Sequence, residues 1–399
     1  MLKLSLKGKK LVESPIRKLI PYANIAKQNG VNVLHLNIGQ PDIDSPVESM
    51  EIVKNNTLKL LPYGPSEGSI SYREALCRYY KQNKINVTPE NIIVTTGASE
   101  ALAITLNCVC DPGDQIIIPE PFYANYSGFA SAASIEIVPI KLFFEDNFKL
   151  PSSEDIESKI TAKTKAILIC NPSNPTGYLY TKQELEVLGK IALKNDVFII
   201  VDEVYREFIH DDKQKHYSIL EFEKIAKNSI MIDSVSKRYS LCGARVGCMV
   251  SKNKNLISTA LKFAQLRLSP PTYALMASEA ALNASKSYVA KVKKEYTLRR
   301  NVLIDAIKKI DGVKVSKPKG AFYCIAELPV ENAENFSRWL LTDFSFENET
   351  AMFAPASGFY STPGYGKNQI RIGFVLNTNK IIRAIKILEK GLSKYNNLR

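Results

Sequence analysis

The sequence lacks several features that define other classes of protein. It has no run of about 18 apolar residues, so no transmembrane helix of ordinary length is expected. Residues 1–10 carry charge without an apolar run, which argues against a signal peptide. The seven cysteines include no Cys-x-x-Cys pair, so neither a zinc site nor a redox pair is indicated. No metal is therefore expected, and reduced thiols in the cytoplasm are the simpler interpretation.

Nucleic-acid motifs, internal repeats and low-complexity segments are also absent from the sequence. The net charge is +13, but the lysines are spread along predicted helices, apart from short groups at 7–10 and 291–294. We interpret this charge as solvated surface and expect no nucleic-acid partner. A length of 399 residues and a hydrophobic content of 45% are typical of a globular chain with two domains of unequal size.

A loop between two short apolar runs carries the first chemical signal. The runs 230–232 and 248–250 predict buried strands, and Lys237 lies in the loop between them. A primary amine becomes a useful nucleophile when desolvation or a neighbouring cation lowers its pKa. Arg245, in the same loop, is a candidate cation. The alternative is a solvated Lys-Arg turn on the surface.

The same loop has the donors that an anion requires. Ser234, Ser236 and Ser240 offer hydroxyl groups, and Arg245 offers a planar fork suited to a phosphate dianion. The loop therefore predicts an amine beside an anion pocket.

A second candidate phosphate site follows another predicted strand. The β-branched run 92–96 leads into Gly97, Ala98 and Ser99, and a helix is predicted from Ser99 to about residue 109. Free amides and the positive end of the dipole make such a helix start a phosphate site. The alternative is a plain strand-to-helix turn capped by serine.

Polar residues also follow two further predicted strands. Asp202 comes directly after the run 197–201, and Asn174 lies in a double Asn-Pro turn after the run 165–170. A carboxylate at the carboxyl end of a buried parallel strand lies where α/β sheets bind their ligands. A purely structural aspartate there would need a polar partner.

These segments together resemble the class I/II pyridoxal-phosphate aminotransferases, which have fold type I. Residues 234–247 match that family's cofactor-lysine signature, Ser-x-Ser-Lys-x-x-Ser-x-x-Gly-x-Arg-x-Gly. Residues 171–177 match a second specific motif, Asn-Pro-x-Asn-Pro-Thr-Gly. Further matches occur in the family's order at 37–42, 63–68, 97–99, 202–205 and 369–374.

The resemblance implies pyridoxal 5'-phosphate as the cofactor and gives the matched residues roles. Lys237 would hold the cofactor as a Schiff base and move the substrate proton, and Asp202 would pair with the pyridine nitrogen. Asn174 and Tyr205 would hold the phenolic oxygen. The residues expected to bind the phosphate are Ala98, Ser99, Ser234, Ser236, Arg245 and, from a partner subunit, Tyr63.

One aromatic side chain is expected to stack on the pyridine ring. The resemblance favours Tyr123 for this role, because it occupies the matching position after the predicted strand 115–118. Phe122 and Tyr126 are neighbouring alternatives, and any of the three could instead belong to the core.

The resemblance also predicts the substrate contacts. Arg371 would clamp the α-carboxylate with its planar fork, beside Asn174 and the backbone at Gly39, where the missing Cβ allows close approach. Arg267 is a candidate for a second carboxylate, and a structural role for it is the alternative. The family's dicarboxylate arginine lies further from its Pro-Pro pair than Arg267 does from residues 270–271.

The implied fold is α/β, with a large domain whose mostly parallel sheet is flanked by helices, plus a smaller α+β domain. The expected division is an arm with part of the small domain at 1–45, a cofactor-binding domain at 46–285 and a small domain at 286–399. A first helix starting near Pro15 and one long helix over about 271–310 are also predicted. Short strands are expected at 134–140, 321–326, 351–355 and 369–375.

The predicted activity is transfer of an amino group between an L-amino acid and a 2-oxo acid such as 2-oxoglutarate. The pattern is most similar to the bacterial aspartate aminotransferase branch, so aspartate is the first candidate, in a homodimer with shared active sites. Alanine or aromatic specificity and a cysteine-conjugate β-lyase are alternatives. A non-catalytic cofactor-binding regulatory domain fits least, because the matches leave no room for a helix-turn-helix module.

Overall fold

A computed structural model describes residues 2–11 and 13–398 of the chain. The helices are α1 (Leu6–Lys10), α2 (Ile20–Gln28), α3 (Val47–Lys54), α4 (Ile70–Gln82), α5 (Gly97–Val109), α6 (Asn125–Ala133), α7 (Ser153–Glu157), α8 (Lys182–Lys194), α9 (Val235–Arg238), α10 (Lys254–Leu266), α11 (Thr272–Leu282), α12 (Lys286–Ile307), α13 (Ala333–Thr342) and α14 (Thr378–Asn396). The strands are β1 (Asn32–His35), β2 (Ile92–Thr95), β3 (Gln115–Glu120), β4 (Glu136–Lys141), β5 (Thr164–Cys170), β6 (Phe198–Asp202), β7 (Ser229–Ser234), β8 (Gly247–Val250), β9 (Lys314–Val315), β10 (Tyr323–Glu327), β11 (Glu349–Met352), β12 (Ala354–Pro355) and β13 (Gln369–Gly373).

The largest sheet contains seven strands in the order β2-β8-β7-β6-β5-β3-β4. Strand β8 runs antiparallel to both of its neighbours, and the other pairings are parallel. Parallel strands need crossover connections, and helices supply them on both faces of this sheet. The predicted α/β class with a mostly parallel sheet is therefore confirmed.

Both faces of the large sheet are buried. Successive residues of a strand point to opposite faces, and in β6 Ile199 and Val201 join one apolar cluster while Ile200 joins the other. Helices α4, α7 and α8 pack in the first cluster, and α5, α6, α10 and α12 pack in the second. Because both faces are dry, ligand chemistry is restricted to the edge where the parallel strands end.

Segments from the N-terminal and C-terminal parts of the chain pack together. Strand β1 pairs in parallel with β11, and α2 packs against α13. A four-stranded sheet follows in the order β12-β13-β10-β9, with antiparallel pairings. The N-terminal strand is therefore built into the C-terminal part of the molecule.

Two predicted helices have different bounds in the structure. The long helix predicted over 271–310 is two helices, because Asn283 ends α11 and Ser285 precedes α12. Asparagine and serine favour helix ends over helix interiors, since their side chains compete for backbone hydrogen bonds. The helix predicted near Pro15 begins at Ile20, and Pro21 occupies its first turn, where a missing N–H has no effect.

Two predicted strands also change. The run 134–140 starts as a strand only at Glu136, because Ser134 adopts a left-handed φ of 61° and ends α6. The run 351–355 divides between two sheets, since β11 pairs with β1 and β12 pairs with β13. Among the described residues, no helix has both the length and the apolar character needed to cross a membrane.

Candidate active site

The carboxyl edge of the large sheet opens into a cavity of about 690 Å³. Strands β5, β6 and β7 end at this edge, and the antiparallel direction of β8 keeps the whole β7–β8 loop there as well. Residues far apart in sequence therefore meet around one space. The predicted site residues that line it are Gly39, Ala98, Ser99, Tyr123, Asn174, Asp202, Tyr205, Ser234, Ser236, Lys237, Arg245 and Arg371.

Lys237 lies in the short helix α9, which begins after Ser234. Its amine donates to the Gly39 carbonyl at 2.8 Å and lies 3.7 Å from the Cys242 sulfur. Burial lowers the pKa of Lys237, and the cation of Arg245 lowers it further, while Cys242 opposes the shift. A lysine of lowered pKa has more neutral amine near pH 7, so this side chain is suited to act as a nucleophile or a base.

A buried ion pair fixes the helix that carries Lys237. Arg238 Nη2 donates to both carboxylate oxygens of Asp233, at 2.7 and 2.6 Å. Tyr80 donates to the same carboxylate at 2.8 Å, and the ring of Tyr79 lies 4.1 Å from the Arg238 guanidinium carbon. Because breaking a buried pair leaves an uncompensated charge, this contact holds the backbone next to Lys237 in one position.

Asp202 is a buried carboxylate at the end of β6. Tyr126 donates to it at 2.8 Å, and the Val204 amide donates at 3.3 Å. Burial raises the pKa of Asp202 to about 6, although the Tyr126 hydrogen bond and the charge of Lys237 act in the opposite direction. Both hydrogen-bond partners are neutral, so a cationic group in the cavity would be a favourable counter-charge. A protonated ring nitrogen fits that requirement.

Arg371 is a buried cation on the same cavity. Its Nη1 donates to the Asn174 side chain at 2.9 Å, and its Nη2 donates to the Asn37 carbonyl. The rings of Tyr323 and Phe359 lie 4.4 and 4.9 Å from its guanidinium carbon, and Nε has no partner among the described residues. All these neighbours are uncharged, so an anion from solution is needed to neutralise this guanidinium. A carboxylate suits its planar fork.

Close packing explains the glycine of the predicted substrate loop. A Cβ at Gly39 would lie 1.5 Å from the Tyr323 hydroxyl oxygen, so only glycine can occupy this position without displacing the ring. The Tyr323 hydroxyl lies 3.1 Å from that of Tyr205. Tyr323 was not among the residues predicted from the sequence. An aromatic side chain at the start of a predicted buried strand was the signal that could have indicated it.

The predicted phosphate pocket combines a helix start with an arginine. Helix α5 begins at Gly97 and not at Ser99, so Ala98 and Ser99 both lie in its first turn. A Cβ at Gly97 would lie 2.4 Å from Arg245 Nη2, which means that the guanidinium packs directly against the helix start. Free amides, the helix dipole and an arginine in one place are suited to a phosphate dianion.

Serine hydroxyls complete this donor set. Ser234 caps α9 by accepting from the Ser236 amide at 3.1 Å, and the two hydroxyl oxygens are 2.8 Å apart. Both side chains line the cavity. The start of α5, Arg245 and these two serines therefore fit the phosphate group of the expected cofactor. Asp202 fits its protonated ring nitrogen.

Of the three aromatic candidates for ring stacking, Tyr123 alone lines this cavity in the part of the chain that the structure describes. Its hydroxyl accepts from Asn125 at 2.8 Å. Phe122 and Tyr126 are core residues, with 3% and 1% of their surface exposed. Tyr126 instead lies in the core beneath the cavity wall and holds the Asp202 carboxylate through its hydrogen bond.

Two predicted residues lie away from the cavity of their own chain. The Arg267 guanidinium lies 3.0 Å from the Glu100 carboxylate and donates to the carbonyls of Ser66 and Val94 at 3.0 and 2.8 Å. These contacts already use its positive charge within the chain. Tyr63 is 80% exposed on the surface.

Sequence reasoning missed several residues of the cavity. Those with polar or reactive side chains are Ser14, Arg17, Gln40, Asn125, Cys170, Cys242 and Tyr323. Gln40 and Cys242 lie inside matched segments, at 37–42 and 234–247, so their neighbours gave a signal for them. Ser14 and Arg17 come from a segment for which no motif was found, and only the folded chain shows that they belong to the site.

A lysine of lowered pKa, a buried anion and a buried cation around the edge of this sheet indicate an enzyme that uses pyridoxal phosphate. Residues 31–388 match the family Aminotransferase class I and II, and the chain belongs to this family of pyridoxal-phosphate-dependent aminotransferases. The predicted family, enzyme class and cofactor are confirmed.

Proteins of more than one specificity are similar to this chain. The aspartate aminotransferase of Pyrococcus horikoshii is 32% identical over 385 residues, which cover 95% of this chain and 94% of that protein. The solved structure of the Thermus thermophilus aspartate aminotransferase with maleate has a TM-score of 0.88 at 25% identity, covering 98% of this chain and 100% of that one. An alanine aminotransferase from Pyrococcus furiosus has a TM-score of 0.88 at 29% identity, with the same two coverages.

Proposed function

We propose that this aminotransferase moves the amino group of an L-amino acid, with aspartate as the first candidate, to 2-oxoglutarate, and that Lys237 holds its cofactor. The observation that carries the proposal is the amine of Lys237, of lowered pKa, in a cavity that also contains the buried charges of Asp202 and Arg371. The names of relatives such as the Pyrococcus horikoshii enzyme support aspartate as the donor.

Each end of the bound cofactor would have its own partners. Pyridoxal phosphate, when bound, supplies an electron sink for the electron pair left at the substrate's α-carbon. Asp202 would keep a proton on the ring nitrogen, because a buried carboxylate with neutral hydrogen-bond partners favours a cation beside it. The remaining contacts would come from Tyr123 at the ring face, Asn174 and Tyr205 at the phenolic oxygen, and Ala98, Ser99, Ser234, Ser236 and Arg245 at the phosphate.

Lys237 would also remove the proton from the substrate's α-carbon. A base works best when its pKa lies near the working pH, and burial moves Lys237 in that direction. The 2.8 Å contact with the Gly39 carbonyl holds the amine beside the predicted substrate loop. Arg371 would bind the α-carboxylate and so direct the α-carbon toward this amine.

We also infer a homodimer whose two active sites are shared. Helix α3 packs against α11, and a Cβ at Gly64 would lie 3.9 Å from the Ser269 side chain, so the segments 47–63 and 266–273 are neighbours. Neighbouring segments that expose many apolar side chains favour a second copy of the chain as their cover. Their exposed apolar side chains are Val47, Met50, Ile52, Val53, Leu58, Leu60, Leu61, Tyr63, Leu266, Leu268 and Tyr273.

The experiment that tests the proposed function is an absorbance spectrum of the protein with pyridoxal phosphate, before and after addition of aspartate. We expect a visible band that shifts with aspartate in the native protein. The Lys237→Ala variant should lose the lysine-dependent absorbance band. Its transaminase rate should also fall by about 10²–10⁴-fold or more, because a general base usually contributes that much. The matched control is Lys227→Ala, which removes an exposed lysine.

Two outcomes would change the conclusion. A native protein without a visible band after reconstitution would contradict the role of Lys237 and the whole site. A band that shifts with other amino acids but not with aspartate would keep the site and reject aspartate as the donor.

A further inference from the structure

The cavity contains one cation for which the proposed function has no role. Its basic side chains, among the described residues, are Lys237, Arg245, Arg371 and Arg17. The first three serve the cofactor and the α-carboxylate. The Arg17 side chain is exposed and has no hydrogen bond or ion pair with the described part of the chain. This arginine is therefore free to bind an anion in the cavity.

The main chain that carries Arg17 is held in place. The Arg17 amide donates to the Ser14 carbonyl at 2.9 Å, so residues 14–17 form a tight turn. Pro15, before Arg17, is buried against Gly358, where a Cβ would lie 2.5 Å from the proline ring. Leu19, after it, is buried in an apolar cluster with residues of α2 and β1. Because both flanks of the turn are anchored, binding a ligand would require ordering of the side chain alone.

Asn37 joins this turn to the α-carboxylate site. Its side-chain amide donates to the Ile16 carbonyl at 2.8 Å, next to Arg17. Its own carbonyl accepts from Arg371 Nη2, and Asn37 is fully buried. Arg17 and Arg371 are thus supported by one residue, which fixes the relation between the two cationic positions.

The charges around Tyr123 agree with this arrangement. Burial raises the pKa of the Tyr123 hydroxyl and Asp202 raises it further, whereas Arg371, Arg17 and Arg245 all lower it. Three guanidinium groups therefore act on one hydroxyl. Asp202 is the one acidic residue among the described residues of the lining, and it is committed to the cofactor. A second carboxylate on the substrate would find no repulsion here and one unpaired cation.

We propose that Arg17 binds the side-chain carboxylate of a dicarboxylic amino acid or 2-oxo acid and gives the enzyme its preference for acidic substrates. The inference rests on the proposed function and assigns its substrate class to a named residue. Arg267, the residue predicted from the sequence for this role, is already bound to Glu100. A guanidinium and a carboxylate form paired, charge-assisted hydrogen bonds, so the contact also orients the substrate side chain.

The test is calorimetric titration of the cofactor-loaded enzyme with maleate, a dicarboxylate that cannot react, and with propionate, a monocarboxylate. Arg17→Ala should weaken maleate binding by about 10- to 100-fold, the range for a hydrogen bond to a charged group, and change propionate binding by less than about threefold. Arg17→Lys should recover part of the maleate affinity, since it keeps the charge without the fork. Lys27→Ala, which removes an exposed lysine of α2, is the matched control.

Steady-state kinetics gives the second measurement. Arg17→Ala should lower kcat/KM for aspartate by a similar factor and leave kcat/KM for alanine within about threefold. The assignment of Arg17 to the side-chain carboxylate would be overturned by equal losses of kcat/KM for aspartate and alanine. Unchanged maleate binding in Arg17→Ala would overturn it as well. If maleate binding depends on Arg17 but the protein transaminates no amino acid, the dicarboxylate site is supported and the proposed function is contradicted. Failure of the Arg17 assignment and failure of the proposed function therefore give different results.

Discussion

The two ends of the cavity are assembled in different ways. We define the proposed cofactor end as Asn174, Asp202, Ser234 and Lys237, and the proposed substrate end as Arg17, Asn37 and Arg371. Residues of the cofactor end follow adjacent strands of one sheet. At the substrate end, Asn37 and Arg371 are 334 residues apart and meet only through the folded chain. The positions of the residues at the cofactor end thus depend on neighbouring strands of one sheet, whereas those at the substrate end depend on contacts between distant parts of the chain.

The charges at the two ends are also opposite. Asp202 is a buried anion and Arg371 a buried cation, and each has only uncharged hydrogen-bond partners. We therefore expect damage at the cofactor end to reduce kcat with every amino donor, whereas damage at the substrate end should raise KM.

Among the variants that compare the two ends, Asp202→Asn should have the largest effect. Loss of the carboxylate removes the counter-charge for the ring nitrogen, and kcat should fall by about 10²–10³-fold with aspartate and alanine alike, as for other preorganised electrostatic groups. KM should change little. Steady-state kinetics with both donors provides the measurement, and the exposed Asp196→Asn is the matched control. A higher KM at unchanged kcat would show that the two ends are not separate.

The same residue should affect stability through pH. Burial raises the pKa of Asp202 from 3.8 to about 6, so the folded protein without cofactor binds this proton more tightly than the unfolded chain does. The resulting stabilisation is present below the unfolded pKa and is lost as the pH rises through about 6. At 1.36 kcal/mol for each pKa unit, the loss is roughly 3 kcal/mol.

Urea unfolding of the cofactor-free protein at several pH values between about 4 and 7 measures this effect. Asp202→Asn should remove that part of the pH dependence. The contribution of Glu203, whose pKa burial raises to about 7, should persist in both proteins. An identical pH dependence in the native and variant proteins would contradict the assignment to Asp202.

A smaller effect is expected from Asn37→Ala, which damages only the substrate end. The variant loses the 2.8 Å hydrogen bond to the Ile16 carbonyl and leaves the cofactor contacts intact. We expect KM for aspartate to rise about 10-fold, the equivalent of one or two hydrogen bonds, with an unchanged visible spectrum. Asn335→Ala, on the exposed side of α13, is the control. A changed spectrum would show that Asn37 also supports the cofactor end.

The smallest effect on catalysis is expected from Arg267→Ala. The guanidinium is bound to Glu100 and to two backbone carbonyls, so its loss should lower the free energy of unfolding by about 1–2 kcal/mol. KM should change equally for aspartate and alanine. Thermal unfolding and kinetics with both donors measure these quantities. A selective rise in KM for aspartate would restore the substrate role that the sequence predicted and weaken the case for Arg17.

The contrast between the two ends also explains what could be predicted from the sequence. The positions at the cofactor end were identified because a strand followed by a polar residue is a local pattern, and Lys237 and Asp202 each lie in such a segment. The fold class was implied by the resemblance to the aminotransferase family. Arg371 was identified through its motif, but its neutral partners could not be, because they come from distant parts of the chain.

Other parts of the site had no local signal. Tyr126 looked like one of three equivalent aromatics, and its bond to Asp202 depends on the packing of α6 against the sheet. Arg17 follows Pro15, from which an earlier helix start was predicted, whereas the helix begins at Ile20 with Pro21 in its first turn and Arg17 stays in a turn before it. Tyr63 was predicted to contact the cofactor of a partner subunit, and Arg267 was predicted to bind a second substrate carboxylate; both roles stay predictions.

The pairing of β1 with β11 has a consequence for the order of folding. During synthesis, strands β4 to β8 can each pair with an earlier strand of the large sheet as they emerge, and β2 pairs once β8 is made. Strand β1 has to wait, because Asn32 finds its partner Glu349 only 317 residues later. Contacts of such high sequence separation form late, since a long loop must close first. The nascent chain therefore gains the scaffold of the proposed cofactor end well before it gains the surface that we propose selects the substrate.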